Sequence, residues 1–312
     1  MHTALTSCLQ TLFCPQANSK FQRFTMRHLV FLLLLFSVCF FTLSEVVDNN
    51  FSKCNEFFLN NAPPDFTPPA SVSVKPICQC VWVEENKKPQ KKYMYATLYS
   101  TTWKIPVYSA YVFASPNVMR QDLWYIEPQL DGDSEPCMRP EGYSKNIGIN
   151  QAVKSDYKKS KAYDRGHLYP VFHTDNHLSM LATSTLTNAA PQDPDFNKNA
   201  WLGHERSVRE DLKSCVKAYV VTGVVPNTLT TMNNRVYVSQ YYWRATCCLK
   251  NNHYRGKGYF GPDNKGQVEV LTINELQNKL IYFYQIQKIL IFPSLPPLNP
   301  AAKITKSIYT CN

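Results

Sequence analysis

No segment of the 312 residues recurs at a fixed period, which sets aside solenoids, propellers and other repeat folds. No G-x-S-x-G run occurs, so an esterase or phosphatase built on a nucleophile elbow finds no support. An H-E-x-x-H pair is also missing. The cysteines do not form the paired C-x-x-C spacing of structural zinc sites: one residue separates Cys78 from Cys80, and Cys247 adjoins Cys248. No long apolar run lies near the C-terminus, and strand-like and helix-like segments do not alternate as in a parallel sheet. With 44% hydrophobic, 13% aromatic and 18% charged residues, the composition is that of a globular protein.

One long apolar run is present. Residues 29–43 (LVFLLLLFSVCFFTL) follow Arg27 and His28 and precede polar sequence from Ser44. The run is short for a membrane span, and its basic lead-in suits a secretory signal peptide over an uncleaved anchor. Met26 stands directly before it, so residues 1–25 read as an upstream extension. Cleavage near Ser44 would remove Lys20, Arg23 and Arg27, leaving 30 basic against 23 acidic side chains, a net of +7. That balance favours polyanionic partners such as nucleic acid. It would also leave eight cysteines: Cys54, Cys78, Cys80, Cys137, Cys215, Cys247, Cys248 and Cys311. An even count behind a signal peptide reads as a disulfide framework, with 105 possible pairings left open. The expected locale is extracellular, without stable membrane association.

Pro63, Pro64, Pro68, Pro69 and Pro76 mark an extended lead-in. Strand-like runs cover Tyr93–Tyr99, Ile105–Phe113, Ala218–Val225 and Val236–Leu249. Residues 131–155 read as loop. Thr272-Ile-Asn-Glu275 is a capping-box pattern that opens a helix through Leu280. Asn50-Phe51-Ser52 is a glycosylation sequon. The mixture predicts an α+β domain.

Between Ala189 and Lys213 the pattern becomes helical. At 100° per residue, Asn197, Trp201, Glu205, Val208, Arg209 and Leu212 fall on one stripe, away from Asn199, Arg206 and Glu210. A stripe carrying an amide, a carboxylate and a guanidinium faces either a polar cleft or a buried ion-pair network. Upstream lies Asp164-Arg165-Gly166-His167, followed by Asn188, Pro191 and Gln192. A histidine facing such a stripe has the parts for metal-assisted phosphodiester cleavage. Imidazole is a base that starts near neutral pKa, hard oxygen ligands suit Mg²⁺, and arginine stabilises added negative charge.

These residues resemble the DNA/RNA non-specific endonucleases of the ββα-metal superfamily, in which D-R-G-H is followed by N-x-x-P-Q and then Asn, Trp, Glu and Arg at fixed intervals. Tyr219-Val-Val-Thr-Gly223 and Tyr242-Trp243 resemble later family segments. The flanking Glu45-Val-Val-Asp48, Ala96-Thr-Leu-Tyr99 and Ile105–Tyr111 resemble the vertebrate endonuclease domain-containing 1 branch. The resemblance covers roughly residues 45–282. It implies an antiparallel sheet core flanked by helices, with a ββα-metal nuclease motif. His167 would be the general base and Asn197 the direct ligand of Mg²⁺, or another divalent cation such as Mn²⁺. Glu205 would reach the ion through water, Arg165 and Arg209 would hold phosphate, and Asn188 would support the site. Arg120, ahead of Leu123-Trp124, joins them as in distant relatives. DNA and RNA would be engaged through their backbone, and the implied activity is sequence-non-specific hydrolysis leaving 5′-phosphate ends.

Plainer readings stand beside these. His173 and His177, four apart, read as surface residues. The aromatics of Gln240–Trp243 read as core. Tyr157–Lys161 (YKKSK) fits a phosphate-contacting patch and a solvated loop equally. A catalytically silent polyanion-binding protein of the same fold is the rival reading, although binding alone needs neither a base nor a metal ligand. Residues 1–44 are thus expected as leader, 45–282 as the endonuclease domain and 283–312, with Pro293, Pro296, Pro297 and Pro300, as a proline-rich tail without an assigned role.

Overall fold

In the computed structural model, which describes residues 45, 46, 50–115, 119–160, 162–264, 266–293 and 311, strand-forming sequence builds one broad antiparallel sheet. Its strands are β2 (Val74–Glu85), β3 (Lys88–Ser100), β4 (Ile105–Val112), β7 (Lys217–Met232), β8 (Val236–Lys250), β9 (His253–Pro262) and β10 (Glu269–Leu271), in the order β10-β9-β8-β7-β4-β3-β2. Two small sheets pair β1 (Asp65–Phe66) with β11 (Ile289–Leu290), and β5 (Asp164–His167) with β6 (Ala189–Gln192). The helices are α1 (Lys154–Ser160), α2 (His177–Thr183), α3 (Leu202–Leu212) and α4 (Ile273–Tyr284). The architecture is the expected α+β class. The proposed leader, Lys161 and residues 294–310 lie outside the described residues.

Turn chemistry sets the hairpins. The β2–β3 loop Asn86-Lys87 and the β8–β9 loop Asn251-Asn252 have positive φ at both positions. That conformation matches the right-handed twist of the strands they join, and asparagine tolerates it well. Alternation along β7 sends Val220 to one face of the sheet and Val221 to the other. On the first face Val208 and Leu212 of α3 join Tyr111, Val220 and Tyr259; on the second, Leu276 and Leu280 of α4 join Val221, Val225 and Trp243. Each buried aliphatic side chain contributes about 1.5–3 kcal/mol.

All eight expected cysteines are paired: Cys54–Cys78, Cys80–Cys137, Cys215–Cys248 and Cys247–Cys311. Thr272 and Glu275 form the predicted capping box, and α4 continues to Tyr284, one turn beyond Leu280. Part of the proline-rich end packs into the body, since Ile291 and Phe292 are buried and Cys311 is tied to β8.

Two expectations are corrected. The helical region does not begin at Ala189, because Ala189–Gln192 is strand β6, paired antiparallel with the D-R-G-H strand. Helix starts at Pro194, where Asp193 caps the N–H groups of Asp195 and Phe196; a π-turn, Asn197–Trp201, then leads into α3. Proline at the first helical position suits this start. His173 is fully buried, whereas His177 is exposed. The imidazole of His173 accepts from Tyr111 O–H at Nδ1 (2.8 Å) and donates from Nε2 to the Glu205 carbonyl (3.2 Å). Neither partner is near it in sequence. The whole of β2 and the whole of β9 also belong to the sheet beyond the strands read from sequence.

Candidate active site

The β5–β6 hairpin and the helical segment after it form a ββα unit, and between them opens a cleft of about 1010 Å³. The hairpin closes because residue 166 is glycine. A Cβ there would collide with the Gln192 side chain and the Tyr242 hydroxyl. His167, at the end of β5, pairs across to Ala189 and lines the cleft beside Arg165, Asn197 and Glu205. Arg120 lines it from an exposed coil.

His167 is half-buried as a residue, but its Nε2 is enclosed and has no hydrogen-bond partner. Its ring lies 5.0 Å from that of Trp124. Burial first, then the positive charges of Arg120 and Arg165, pushes its pKa down to about 3. The imidazole is therefore neutral, with a free ring nitrogen. Arg165 sits over two aromatic rings, 5.1 Å from the centroid of Trp124 and 5.2 Å from that of Tyr157. Cation–π contact on both rings restricts the guanidinium.

Asn197 donates from Nδ2 to Asp164 Oδ2 at 3.0 Å, and Lys198 pairs with the same oxygen at 2.9 Å. The amide orientation is thus set by the aspartate of the D-R-G-H strand, and its carbonyl oxygen remains as an acceptor. Glu205 is buried, and burial pushes its pKa up to about 7 against the opposing pull of Arg244. Arg244, on β8, is fully buried. Its Nη2 lies 3.5 Å from Glu205 Oε1, its Nε donates to Thr222 Oγ1 at 2.8 Å, and its Cζ is 4.9 Å from the centroid of Trp201.

The helix stripe is confirmed in its pattern: Trp201, Glu205, Val208 and Leu212 are buried, and Asn199, Arg206 and Glu210 are exposed. Two of the site residues named from sequence do not line the cleft. Asn188 is buried as a brace, accepting from Tyr169 N (3.0 Å) and donating to Tyr169 O (3.0 Å) and Thr183 O (2.8 Å). Arg209 lies one turn beyond Glu205, where its Nε donates to Ser115 Oγ at 3.2 Å. Tyr242 and Trp243 are core, as expected. Arg244 and His173 were missed. Arg244 follows the Tyr-Trp pair directly, and a charge set between Trp243 and Ala245 in mid-strand was the available signal.

Asn197 and Glu205 offer one amide and one carboxylate oxygen. Among the described residues no group of three or more His, Cys, Asp or Glu could form a closed metal cage. Few, hard oxygen donors fit a cation that keeps most of its water, as Mg²⁺ does. Among the described residues no helix is long and apolar enough to cross a membrane.

The chain is similar in sequence to several known proteins. The chain is 32% identical over 209 residues to the human (Homo sapiens) endonuclease domain-containing 1 protein, covering 64% of this chain and 39% of that protein. The mouse (Mus musculus) counterpart is 30% identical over 213 residues, with the same coverage. Human mitochondrial endonuclease G is 33% identical over 136 residues, 41% of this chain and 45% of the relative. The chain therefore spans about two-fifths of the length of these curated relatives. A crystal structure of the EndoG/EndoGI complex superposes with a TM-score of 0.47 at 18% identity, covering 65% of this chain and 84% of that one. The family description DNA/RNA non-specific endonuclease matches residues 80–288, and the chain belongs to that family.

Proposed function

We propose that this chain is a secreted, divalent-cation-dependent endonuclease that hydrolyses DNA and RNA without reading sequence and leaves 5′-phosphate ends. The observation that carries the reading is His167, a neutral imidazole whose free Nε2 shares a cleft with Arg165, Asn197 and Glu205. Nε2 accepts the proton of the attacking water. Arg165, steadied by Trp124 and Tyr157, holds the phosphate, and Arg120 adds positive charge at the mouth. Arg209 contacts the substrate backbone from the rim, and Asn188 acts as a brace behind His167. Asn197 would ligate Mg²⁺ or Mn²⁺ directly, with Glu205 engaging it through water; when bound, the cation supplies charge neutralisation at the phosphate oxygens. Four disulfides support an oxidising, extracellular setting.

Backbone contact without base readout makes binding salt-sensitive and sequence-blind. The test is incubation of the purified protein with plasmid DNA and with RNA, with Mg²⁺ and with EDTA. Nicking and fragmentation that EDTA abolishes is the expected result. Binding without cleavage under any divalent ion would leave a silent polyanion binder instead.

A further inference from the structure

We propose that α1 is a dedicated phosphate-binding wall, with Lys154 and Lys158 gripping the nucleic-acid backbone flanking the scissile bond. The inference rests on the reading that the cleft receives nucleic acid, and it extends that grip beyond the reacting phosphate. Both lysines line the cleft, together with Tyr157 between them. Their spacing of four places them on one helix face, one turn apart, with a rise of about 6 Å. That rise is close to the axial advance of two phosphates on one strand of B-form DNA, at about 3.4 Å each. Among the described residues neither ammonium forms an ion pair, whereas Lys198, which lines the same cleft, is held by Asp164.

The short helix is fixed from behind, so this face is not free to turn away. Asp156 is buried and accepts from Arg235 Nε at 3.0 Å, and its carbonyl accepts from Asn233 Nδ2 at 2.5 Å. These contacts tie α1 to the β7–β8 turn. The Tyr157 ring is buried on the cleft side and carries the Arg165 guanidinium, linking the wall to the catalytic hairpin. The charge of the lining agrees with a polyanionic occupant: five lysine and arginine side chains stand against two carboxylates. A mere solvated surface would need neither a buried aspartate clamp nor a shared aromatic anchor.

Counterion release gives a test that does not require cleavage. Binding of a labelled B-form DNA duplex of about two helical turns is measured in EDTA across about 50–200 mM salt for the natural protein and for Lys154→Gln/Lys158→Gln. Each phosphate neutralised contributes about 0.9 to the slope of log affinity on log salt, so the double variant should lose about 1.8. Its affinity deficit should then shrink about twelvefold across that salt range. Lys250→Gln/Lys279→Gln removes the same charge outside the cleft and should leave the slope unchanged. Lys158→Gln alone, at an exposed position, should lose about 0.9 and serves if the double variant folds poorly. An unchanged slope, a loss equal to that of the control pair, or no duplex binding by the natural protein overturns the proposal. A natural protein that binds with this slope yet never cuts with any divalent cation overturns the hydrolase reading and leaves the wall standing.

Discussion

Beneath the cleft, the Arg244 guanidinium stands 3.5 Å from the Glu205 carboxylate, and both are buried. The pair joins a strand of the large sheet to the helix that carries the cleft's carboxylate. Arg244→Met leaves a buried carboxylate without its countercharge, which costs about 3–5 kcal/mol when a buried pair is broken. Urea denaturation should show that loss, and adding Glu205→Gln should restore part of it. A loss under about 1 kcal/mol would mean that the pair is not electrostatically coupled.

His167→Ala and Asn197→Ala should fail differently. The first removes the base but keeps Arg165, so DNA still binds while cleavage falls about 10²–10⁴-fold. Extra Mg²⁺ does not restore it, because proton transfer is what is missing. Asn197→Ala weakens the proposed ion ligand, so activity should partly return at high Mg²⁺. Cleavage at the natural rate by both variants would refute the site assignment.

That Arg165, His167, Asn197 and Glu205 share one cleft was legible because β5 and the helix keep their residues in local patterns. D-R-G-H is contiguous, and Trp201, Glu205, Val208 and Leu212 recur with helical period, which a buried helix face requires. The start of that helix was not legible by periodicity. Pro191 and Gln192 belong to β6, and only pairing with Asp164–His167 makes them strand. Buried polar side chains were hardest to foresee. His173 reads as surface until Tyr111 and the Glu205 carbonyl satisfy both ring nitrogens, and these lie 62 and 32 residues away. Arg244 finds its partners Thr222, Trp201 and Glu205 only through strand pairing and helix packing.

The pH–rate profile separates His167 from Glu205. A free imidazole base would switch off on the acid side of about pH 6.5. Burial and two arginines lower the pKa of His167 to about 3, so it stays neutral from about pH 5 to 8 and contributes no acid limb there. Glu205, raised to about 7 by burial, gains a proton as pH falls through that value and loses its hold on a cation. An acid limb near neutrality is therefore expected, and Glu205→Gln should be weakly active with no such limb. If the glutamine variant keeps the natural limb, another group sets it.

The disulfide framework should be complete. Thiol titration of the unfolded, unreduced mature protein should find no free cysteine among the eight, and reduction should lower stability and activity together. Cys311→Ser tests the tie between the proline-rich end and β8. Loss of a native disulfide costs about 2–5 kcal/mol in small secreted domains, so a change within error would make that tie dispensable.

Glu127 gives a pH-dependent stability unconnected with the cleft. Its carboxyl is 1% exposed, Oε1 has no hydrogen-bond partner, and burial pushes its pKa up to about 8. The folded pKa lies above the unfolded value of about 4.3, so folding favours the protonated form. Its contribution to stability is fully present below about pH 4.3 and is lost as pH rises through about 8. At pH 7 the cost is on the order of 3 kcal/mol, taking about 1.4 kcal/mol per pKa unit. Glu127→Gln keeps the shape and removes the proton, so unfolding in urea should show a gain at pH 7 that nearly vanishes at pH 4.5. The same gain at both pH values would mean that the amide packs better for reasons other than charge. No gain at pH 7 would mean that Glu127 is solvated or paired in solution.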